Sequence, residues 1–414
     1  MDDIKPPKNS YRNIDPVESS EPEEFDTAPI APKSTTPDDI ETVDLSLENK
    51  QSENKAKPGA PKFMHKVLRL LKNKKTLLIV AIILIVIAGG LVYWFVLREN
   101  KTPQSTTYKP ASVAKKIAAK KVTSPLTGVE LSDATLAKRP VTGLMIENSL
   151  DARPQSGLID AGLVVEAVAE GGITRFLALF QESTPQYIGP VRSARPYYVD
   201  FALAFDASLG HVGGSPDAMN DIKSLNVKDL DQFYNAGGYW RINDRAAPHN
   251  VYTSFERLDQ LNKNKGYTSS GFTPLEHKKD VTQTPTASSI DLNLSGPTYN
   301  PHFQYDPNTN SYKRSEAGGA HIDLRTGTQI SPKVVVALVM TKGTSDGYHG
   351  SYGTVGSGKA YVFQDGIISQ GTWTKADRKS SLQLTDKNGL PLKINAGQAW
   401  ITLVGSGSDV SYQP

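Results

Sequence analysis

The chain has 414 residues, of which 38% are hydrophobic and 21% charged, and its formal net charge at pH 7 is +3. This length allows two ordinary domains with tails, and the near-neutral balance argues against a nucleic-acid-binding protein with a broad basic face. The sequence contains no cysteine. It therefore excludes disulfides, thiolate metal sites, a cysteine nucleophile and the lipid-bearing cysteine of a bacterial lipoprotein.

The first segment, residues 1–61, is rich in proline, serine, threonine and acidic residues and has almost no aromatic residues. A segment of this kind buries too little apolar surface to offset the entropy lost on ordering. We predict that it is a disordered cytoplasmic tail.

The longest apolar run, residues 76–97, has no charged residue. At about 1.5 Å per helical residue it would span roughly 30 Å, which is the thickness of a bilayer core. The run predicts a single transmembrane helix, and its distance from the N-terminus argues against a cleaved signal peptide. Basic residues are denser before the run than just after it, which predicts a plasma-membrane protein with a cytoplasmic N-terminus. Residues 98–123 would then be an extracytoplasmic linker.

Residues 124–262 alternate short apolar runs with glycine-containing turns, which predicts strands. Two further segments have helical spacing and begin with Pro196 or with Ser215 followed by proline, as helices often do. We therefore predict an α/β (or α+β) N-terminal ectodomain. The predicted strands are 141–148, 162–169 and 174–181, and the predicted helices are 193–207 and 215–225.

Residues 263–296 are rich in threonine, serine, lysine and proline and are predicted to be a connector. Residues 297–406 contain closely spaced apolar runs, with the turn dipeptides Asp365-Gly366 and Asn388-Gly389 between them. Such dipeptides are strong hairpin signals. This region predicts a smaller, mainly β C-terminal domain.

Several arginine, glutamate and histidine residues lie at or beside the predicted strand and helix ends. Guanidinium groups can bind a carboxylate or phosphate through two hydrogen bonds, so these residues are candidates for an anionic-ligand site. The alternative is that glutamates, including Glu166, pair with the arginines inside the fold; the sequence leaves both open. The candidates are Glu147, Arg153, Glu170, Arg175, Arg192, Arg195, His211, Ser215 and His249.

Three of these candidates have more specific interpretations. His211 would be an acid–base group or ligand, or else a packed residue, and His249 would be a second histidine of the same region. Ser215 precedes a proline, so an ordinary helix cap is favoured over a nucleophile. Ser215 does not lie in a Gly-x-Ser-x-Gly motif.

His321 and Asp323 lie two residues apart, and with His349 they could bind a metal ion. These residues lack the fixed spacing of a zinc site. The glycine-rich stretch 352–360 also departs from the phosphate-loop pattern, because alanine follows its lysine. We therefore expect no metal and no cofactor.

An ordered run of short motifs extends over about 125–403. The motifs are PLTG (125–128), IENS (146–149), ARPQSGL (152–158), EGGITRF (170–176), IGPVRSARPY (188–197), HVGGSP (211–216), PHNVY (248–252), GSGKAYVFQDG (356–366) and the W-x-K of Trp373 and Lys375. Together they resemble the YerB-like family of bacterial envelope lipoproteins, whose function is unknown. The resemblance implies an extracytoplasmic α/β domain and a smaller C-terminal domain, held at the membrane. It implies no reaction or substrate.

The chain departs from this family in lacking the lipidated N-terminal cysteine, and the predicted transmembrane helix would take its place. We expect a membrane-tethered binding or scaffolding module whose partner is an anionic wall polymer or an envelope protein, and no nucleic acid. The alternative is an envelope hydrolase or transferase that uses His211, Glu170 and one of the arginines.

Overall fold

The computed structural model describes residues 74–98 and 121–414. The chain divides into two compact units, Met1–Ser112 and Val113–Pro414, and each is considered by itself. The predicted tail 1–61 and most of the predicted linker lie outside the described residues.

In the first unit, helix α1 spans Lys74–Arg98 and includes the apolar run. Among the residues that the structure describes, no helix meets the requirements of a membrane-spanning segment. The predicted transmembrane anchor is therefore not supported, although a helix forms where the apolar run predicts one.

The second unit contains three helices and 21 strands within residues 121–414. The helices are α2 (Pro196–Ala204), α3 (Pro216–Ser224) and α4 (Phe255–Asn264). The strands are β1 (Thr142–Glu147), β2 (Leu163–Glu170), β3 (Ile173–Phe180), β4 (Ser208–His211), β5 (Lys228–Asp231), β6 (Tyr239–Arg241), β7 (Val251–Thr253), β8 (His277–Lys278), β9 (Ser289–Leu292), β10 (His302–Asp306), β11 (Ser311–Glu316), β12 (Gly319–Ala320), β13 (Val334–Val339), β14 (Lys342–Thr344), β15 (Gly350–Tyr352), β16 (Gly356–Gln364), β17 (Ile367–Lys375), β18 (Gln383–Thr385), β19 (Ile394–Asn395), β20 (Ala399–Val404) and β21 (Val410–Gln413).

A single ten-stranded mixed sheet unites the two halves of this unit. Its order is β18-β17-β16-β13-β20-β2-β3-β1-β4-β5. The junction is β20, which pairs in parallel with β13 on one side and with β2 on the other. β2 and β20 are almost completely buried on both faces. Their pairing satisfies backbone N–H and C=O groups that would otherwise form an open edge on each strand.

The predicted fold class, an α/β domain followed by a smaller mainly β domain, is therefore wrong. Strands dominate the described part of the chain, and the sheet of the first half continues into the second. The physical reason is long-range strand pairing, which a local sequence pattern does not contain. The predicted segment boundaries stay predictions.

Two apolar layers cover the ten-stranded sheet. On one face, Val165 and Leu177 pack in a cluster with Phe201 of α2 and Ile222 of α3. The opposite face carries α4 and a five-stranded antiparallel sheet with the order β12-β11-β10-β9-β21. Because side chains alternate along a strand, each central strand contributes residues to both layers.

A buried ion pair joins the two sheets. Arg314 of β11 and Glu166 of β2 both have fully buried side chains. Nη2 of Arg314 donates to Oε1 and Oε2 of Glu166 at 2.9 and 3.1 Å, and Nε1 of Trp400 donates to Oε2 at 2.8 Å. The guanidinium also lies 4.8 Å from the centre of the Trp400 ring. Both charges therefore have close partners, as burial requires.

A second carboxylate, Glu316, extends this pair. It lies 3.2 Å from Nη1 of Arg314 and 3.3 Å from Nη2 of Arg153, and it accepts a hydrogen bond from Asn148 at 3.1 Å. Burial alone would raise the pKa of Glu316, but the neighbouring guanidinium groups outweigh burial and lower it to about 2. The Glu316 carboxylate is therefore held ionised in the folded protein.

The pKa of Glu316 predicts acid sensitivity. A depressed carboxyl pKa stabilises the fold above the ordinary value of 4.5, and this contribution is lost as the pH falls through about 2. The difference between a pKa of 4.5 and one of about 2 corresponds to about 3 kcal/mol of unfolding free energy. We expect Glu316→Gln to be less stable at neutral pH and to lose less further stability between pH 4.5 and 2 than the parent chain. Urea unfolding at each pH measures this, and parallel pH profiles would contradict it.

Candidate functional site

Most of the predicted site residues lie along one edge of the ten-stranded sheet. Glu147 ends β1 and Glu170 ends β2, and Arg175 of β3 is paired with Glu147 in the register of β1 and β3. The segment 188–195 crosses this edge, where the backbone N–H of Glu147 donates to the carbonyl of Pro190 at 3.0 Å. The candidates separate into four local groups.

The first group surrounds Glu170. Nη2 of Arg175 donates to Oε1 of Glu170 at 2.6 Å, and Nη2 of Arg195 donates to Oε2 at 2.7 Å. Both arginines also donate to Ser193. Burial would raise the pKa of Glu170, but the two guanidinium groups outweigh it and lower the pKa. Both carboxylate oxygens are occupied, so this group is a closed ionic network.

The second group is centred on Arg153. Its Nε donates to Asn148 at 3.0 Å, and its Nη2 donates to the carbonyl of Thr298 at 3.0 Å. It also pairs with Glu316. Arg153 therefore belongs to the buried network that joins the two sheets.

The third group contains His211, whose side chain is fully buried. Its Nδ1 lies 2.8 Å from the carbonyl of Gly213, and its Nε2 lies 3.0 Å from Oδ1 of Asp229. Ser215 accepts a hydrogen bond from the backbone N–H of Ala218 at 3.4 Å and caps α3. The structure thus gives His211 and Glu170 separate partners, and it does not bring them together as an acid–base set.

The fourth group, which we call the Arg192 site, consists of Glu147, Ser149, Arg192 and His249. Oε1 of Glu147 lies 3.0 Å from Nδ1 of His249, 3.0 Å from Oγ of Ser149 and 3.2 Å from Nε of Arg192. Oε2 of Glu147 is buried without a hydrogen-bond partner in the described part of the chain. A buried carboxylate therefore holds one arginine and one histidine at the end of β1.

Arg192 differs from the other candidate arginines in its free donors. Its side chain is 27% exposed, and no acceptor among residues 74–98 and 121–414 is recorded for its Nη1 or Nη2. Arg175 and Arg195, in contrast, use terminal nitrogens within their network. The Arg192 guanidinium can therefore offer two parallel donors to a carboxylate or phosphate.

Ser149, His249 and Glu147 do not form a nucleophilic triad. Oγ of Ser149 and Oε1 of Glu147 both lie against Nδ1 of His249. A triad needs the nucleophile and the carboxylate on opposite ring nitrogens. The other ring nitrogen, Nε2, lies 3.7 Å from Oδ2 of Asp151.

The three possible metal ligands, His321, Asp323 and His349, each interact with different residues. His321 contacts Arg314 and Gln155, and burial lowers its pKa to about 3. Asp323 accepts from the backbone N–H of Gly157, and His349 pairs with Asp346. Among the described residues, no group of three potential ligands has a metal-binding arrangement.

Several important residues had no distinctive sequence signal. Arg314 and Glu316 lie in the short strand SYKRSE. Its sequence does not distinguish a charged side chain that faces the interior from one that faces solvent. Ser149 stands out in the sequence only as the last residue of the IENS motif. Asp229 directly follows a lysine on a short strand, and its contact with His211 depends on the pairing of β4 with β5.

Known proteins share this fold, in which a five-stranded antiparallel sheet packs on a ten-stranded mixed sheet. The model of the family described as "Protein of unknown function (DUF3048) N-terminal domain" matches residues 126–268, and the C-terminal domain model of the same family matches residues 290–401. The putative lipoprotein YerB of Bacillus subtilis (strain 168) is 32% identical over 297 residues, which are 69% of this chain and 87% of that protein.

A solved structure is similar as well. The crystal structure of the YerB protein from Bacillus subtilis superposes with a TM-score of 0.64 at 30% identity, covering 71% of this chain and all of that chain. The chain therefore belongs to the DUF3048 family. The resemblance to YerB-like proteins predicted from the motifs is confirmed.

The geometry predicts different roles in stability for Glu170 and Arg192. Glu170→Ala would leave two buried guanidinium groups without their shared carboxylate, so we expect a loss of about 3–5 kcal/mol in unfolding free energy. Arg192→Ala removes a partly exposed charge and leaves the buried Glu147 carboxylate its contacts with Ser149 and His249, so we expect a smaller loss of about 1–2 kcal/mol. Chemical denaturation of the full chain compares the two variants. Equal losses would contradict the assignment of Glu170 to the fold and of Arg192 to an open site.

Proposed function

We propose that the protein is an extracytoplasmic cell-envelope binding module that holds an anionic group at the Arg192 site. The observation that carries this proposal is the guanidinium of Arg192. Its Nε lies 3.2 Å from the buried Glu147 carboxylate without a hydrogen bond, and no residue that the structure describes accepts a hydrogen bond from its two terminal nitrogens. The other candidate arginines are held in closed networks.

The envelope location is supported by the relative from Bacillus subtilis, whose name describes a putative lipoprotein. Membership of the same family supports an extracytoplasmic location for this chain. The chain has no cysteine, so the proposal does not include a lipidated cysteine as its tether.

An anionic ligand follows from the donors that the site offers. Hydrogen bonds from an arginine to a charged acceptor contribute about 1.5–3 kcal/mol each, and a planar fork matches carboxylate and phosphate oxygens. His249 adds a second polar group beside Arg192. The envelope polymers that carry such groups include phosphate-rich chains and peptides with free carboxylates.

The test is a binding measurement on the full chain with two soluble polymers, a polyglycerol phosphate and a polyglutamate. Arg192→Ala should weaken binding of the preferred polymer by about tenfold or more, because a charged bidentate contact is lost. Arg192→Lys should retain part of the affinity, since it keeps the charge but not the fork. Added salt should weaken the binding of the parent chain.

Arg325→Ala is the matched control. Arg325 is exposed and packs on Tyr187 rather than on Glu147, so its loss changes the net charge equally without altering the Arg192 site. Failure of both polymers to bind, or equal affinities for Arg192→Ala and Arg325→Ala, would reject the proposed function.

A further inference from the structure

A cleft lies beside α3, away from the residues of the Arg192 site. It has a volume of about 450 Å³, within the range of about 300–1,000 Å³ that is usual for small-ligand sites. The polar side chains that line it are those of Asn220, Lys223, Asn226, Asp229 and Tyr234. From this lining we infer that the cleft binds a saccharide ring of an envelope glycan.

The cleft has an apolar base. Ile222 and Val227 line it and are almost completely buried, and Met219 packs against the same core. The base is therefore fixed by the packing of α3 on the ten-stranded sheet. A rigid base with polar groups around it suits a ligand that has one apolar face and several hydroxyl groups.

Asp229 supplies an oriented acceptor. Its Oδ1 lies 3.0 Å from Nε2 of the buried His211 and accepts the backbone N–H of Asp231 at 2.8 Å. No hydrogen bond to its Oδ2 is recorded from the described residues. Burial would raise the pKa of Asp229, but the contact with His211 outweighs it and lowers the pKa. The carboxylate thus stays ionised, with one oxygen available to sugar hydroxyls.

The amides of Asn220 and Asn226 supply both donors and acceptors. No side-chain hydrogen bond is recorded for either amide within the described ranges. Asn226 has φ of 55°, a left-handed conformation that asparagine tolerates at the end of a helix. An acid and two amides together can pair with adjacent hydroxyls that each donate and accept.

Tyr234 supplies an aromatic face. Its side chain is 81% exposed, while its backbone N–H donates to the carbonyl of Asp231 at 3.2 Å. The ring is therefore accessible to a ligand in the cleft that it lines. Aromatic rings bury apolar surface at low entropic cost, and the C–H face of a sugar ring is a suitable partner.

A purely anionic ligand is less well suited to this cleft. Lys223 is the one basic side chain in its lining, and Asp229 would oppose a second negative charge. The inference takes the envelope location from the proposed function, but the cleft shares no residue with the Arg192 site. Loss of binding at one site therefore leaves the other testable.

The experiment measures binding of two neutral trisaccharides to the full chain by calorimetry, one of glucose and one of N-acetylglucosamine. We expect millimolar or tighter binding of at least one of them. Tyr234→Ala should weaken it by about tenfold, as expected for the loss of one aromatic contact. Tyr234→Phe keeps the ring and should retain most of the affinity, and Asn220→Ala should weaken binding by several-fold.

Phe233→Ala is the matched control. Phe233 is 66% exposed and precedes Tyr234, but it is not part of the cleft lining, so its variant should bind like the parent. The inference is overturned if neither trisaccharide binds, if Tyr234→Ala and Phe233→Ala bind equally well, or if only Lys223→Ala abolishes binding, since that result would indicate an anion site.

Discussion

The buried pair of Glu166 and Arg314 is the interaction on which the arrangement of the two sheets depends. Each charge is removed from water, and each has the other as its nearest charged partner. Trp400 adds both a hydrogen bond to the carboxylate and an aromatic face to the guanidinium. Because an unpaired charge in this layer would be very costly, the pair also defines which face of β11 must lie against β2.

The same requirement explains the ionic edge of the sheet. Glu170 pairs with both Arg175 and Arg195 there, and Glu316 pairs with Arg153. The guanidinium groups in these pairs already have carboxylate partners inside the protein and are not free to bind an anionic ligand. Arg192 is different because no described residue accepts a hydrogen bond from its guanidinium, whose Nε lies 3.2 Å from the Glu147 carboxylate. Of the two interpretations that the sequence leaves open, internal pairing thus applies to Arg153, Arg175 and Arg195, and ligand binding is proposed for Arg192.

Local chemistry predicts local structure in this chain. The Ser215–Pro216 pair predicts the start of α3, and the apolar run after residue 141 predicts β1; the structure contains both. The motifs also predict the family correctly. The fold class could not be predicted in the same way, because the insertion of β20 between β2 and β13 joins residues more than 200 positions apart. The partners of Glu166 depend on such long-range pairing, because Trp400 belongs to β20 and Arg314 belongs to the second sheet.

The most direct test of the central claim is a double-mutant cycle on Glu166 and Arg314 in the full chain, with urea unfolding as the readout. Arg314→Met leaves the buried Glu166 without a guanidinium partner, and Glu166→Leu leaves Arg314 with Glu316 as its remaining carboxylate. Each should cost about 3–5 kcal/mol. The double variant should cost clearly less than the sum, with a coupling of about 1–3 kcal/mol, because it leaves neither charge behind. Additive losses would contradict the claim that this pair holds the two sheets together.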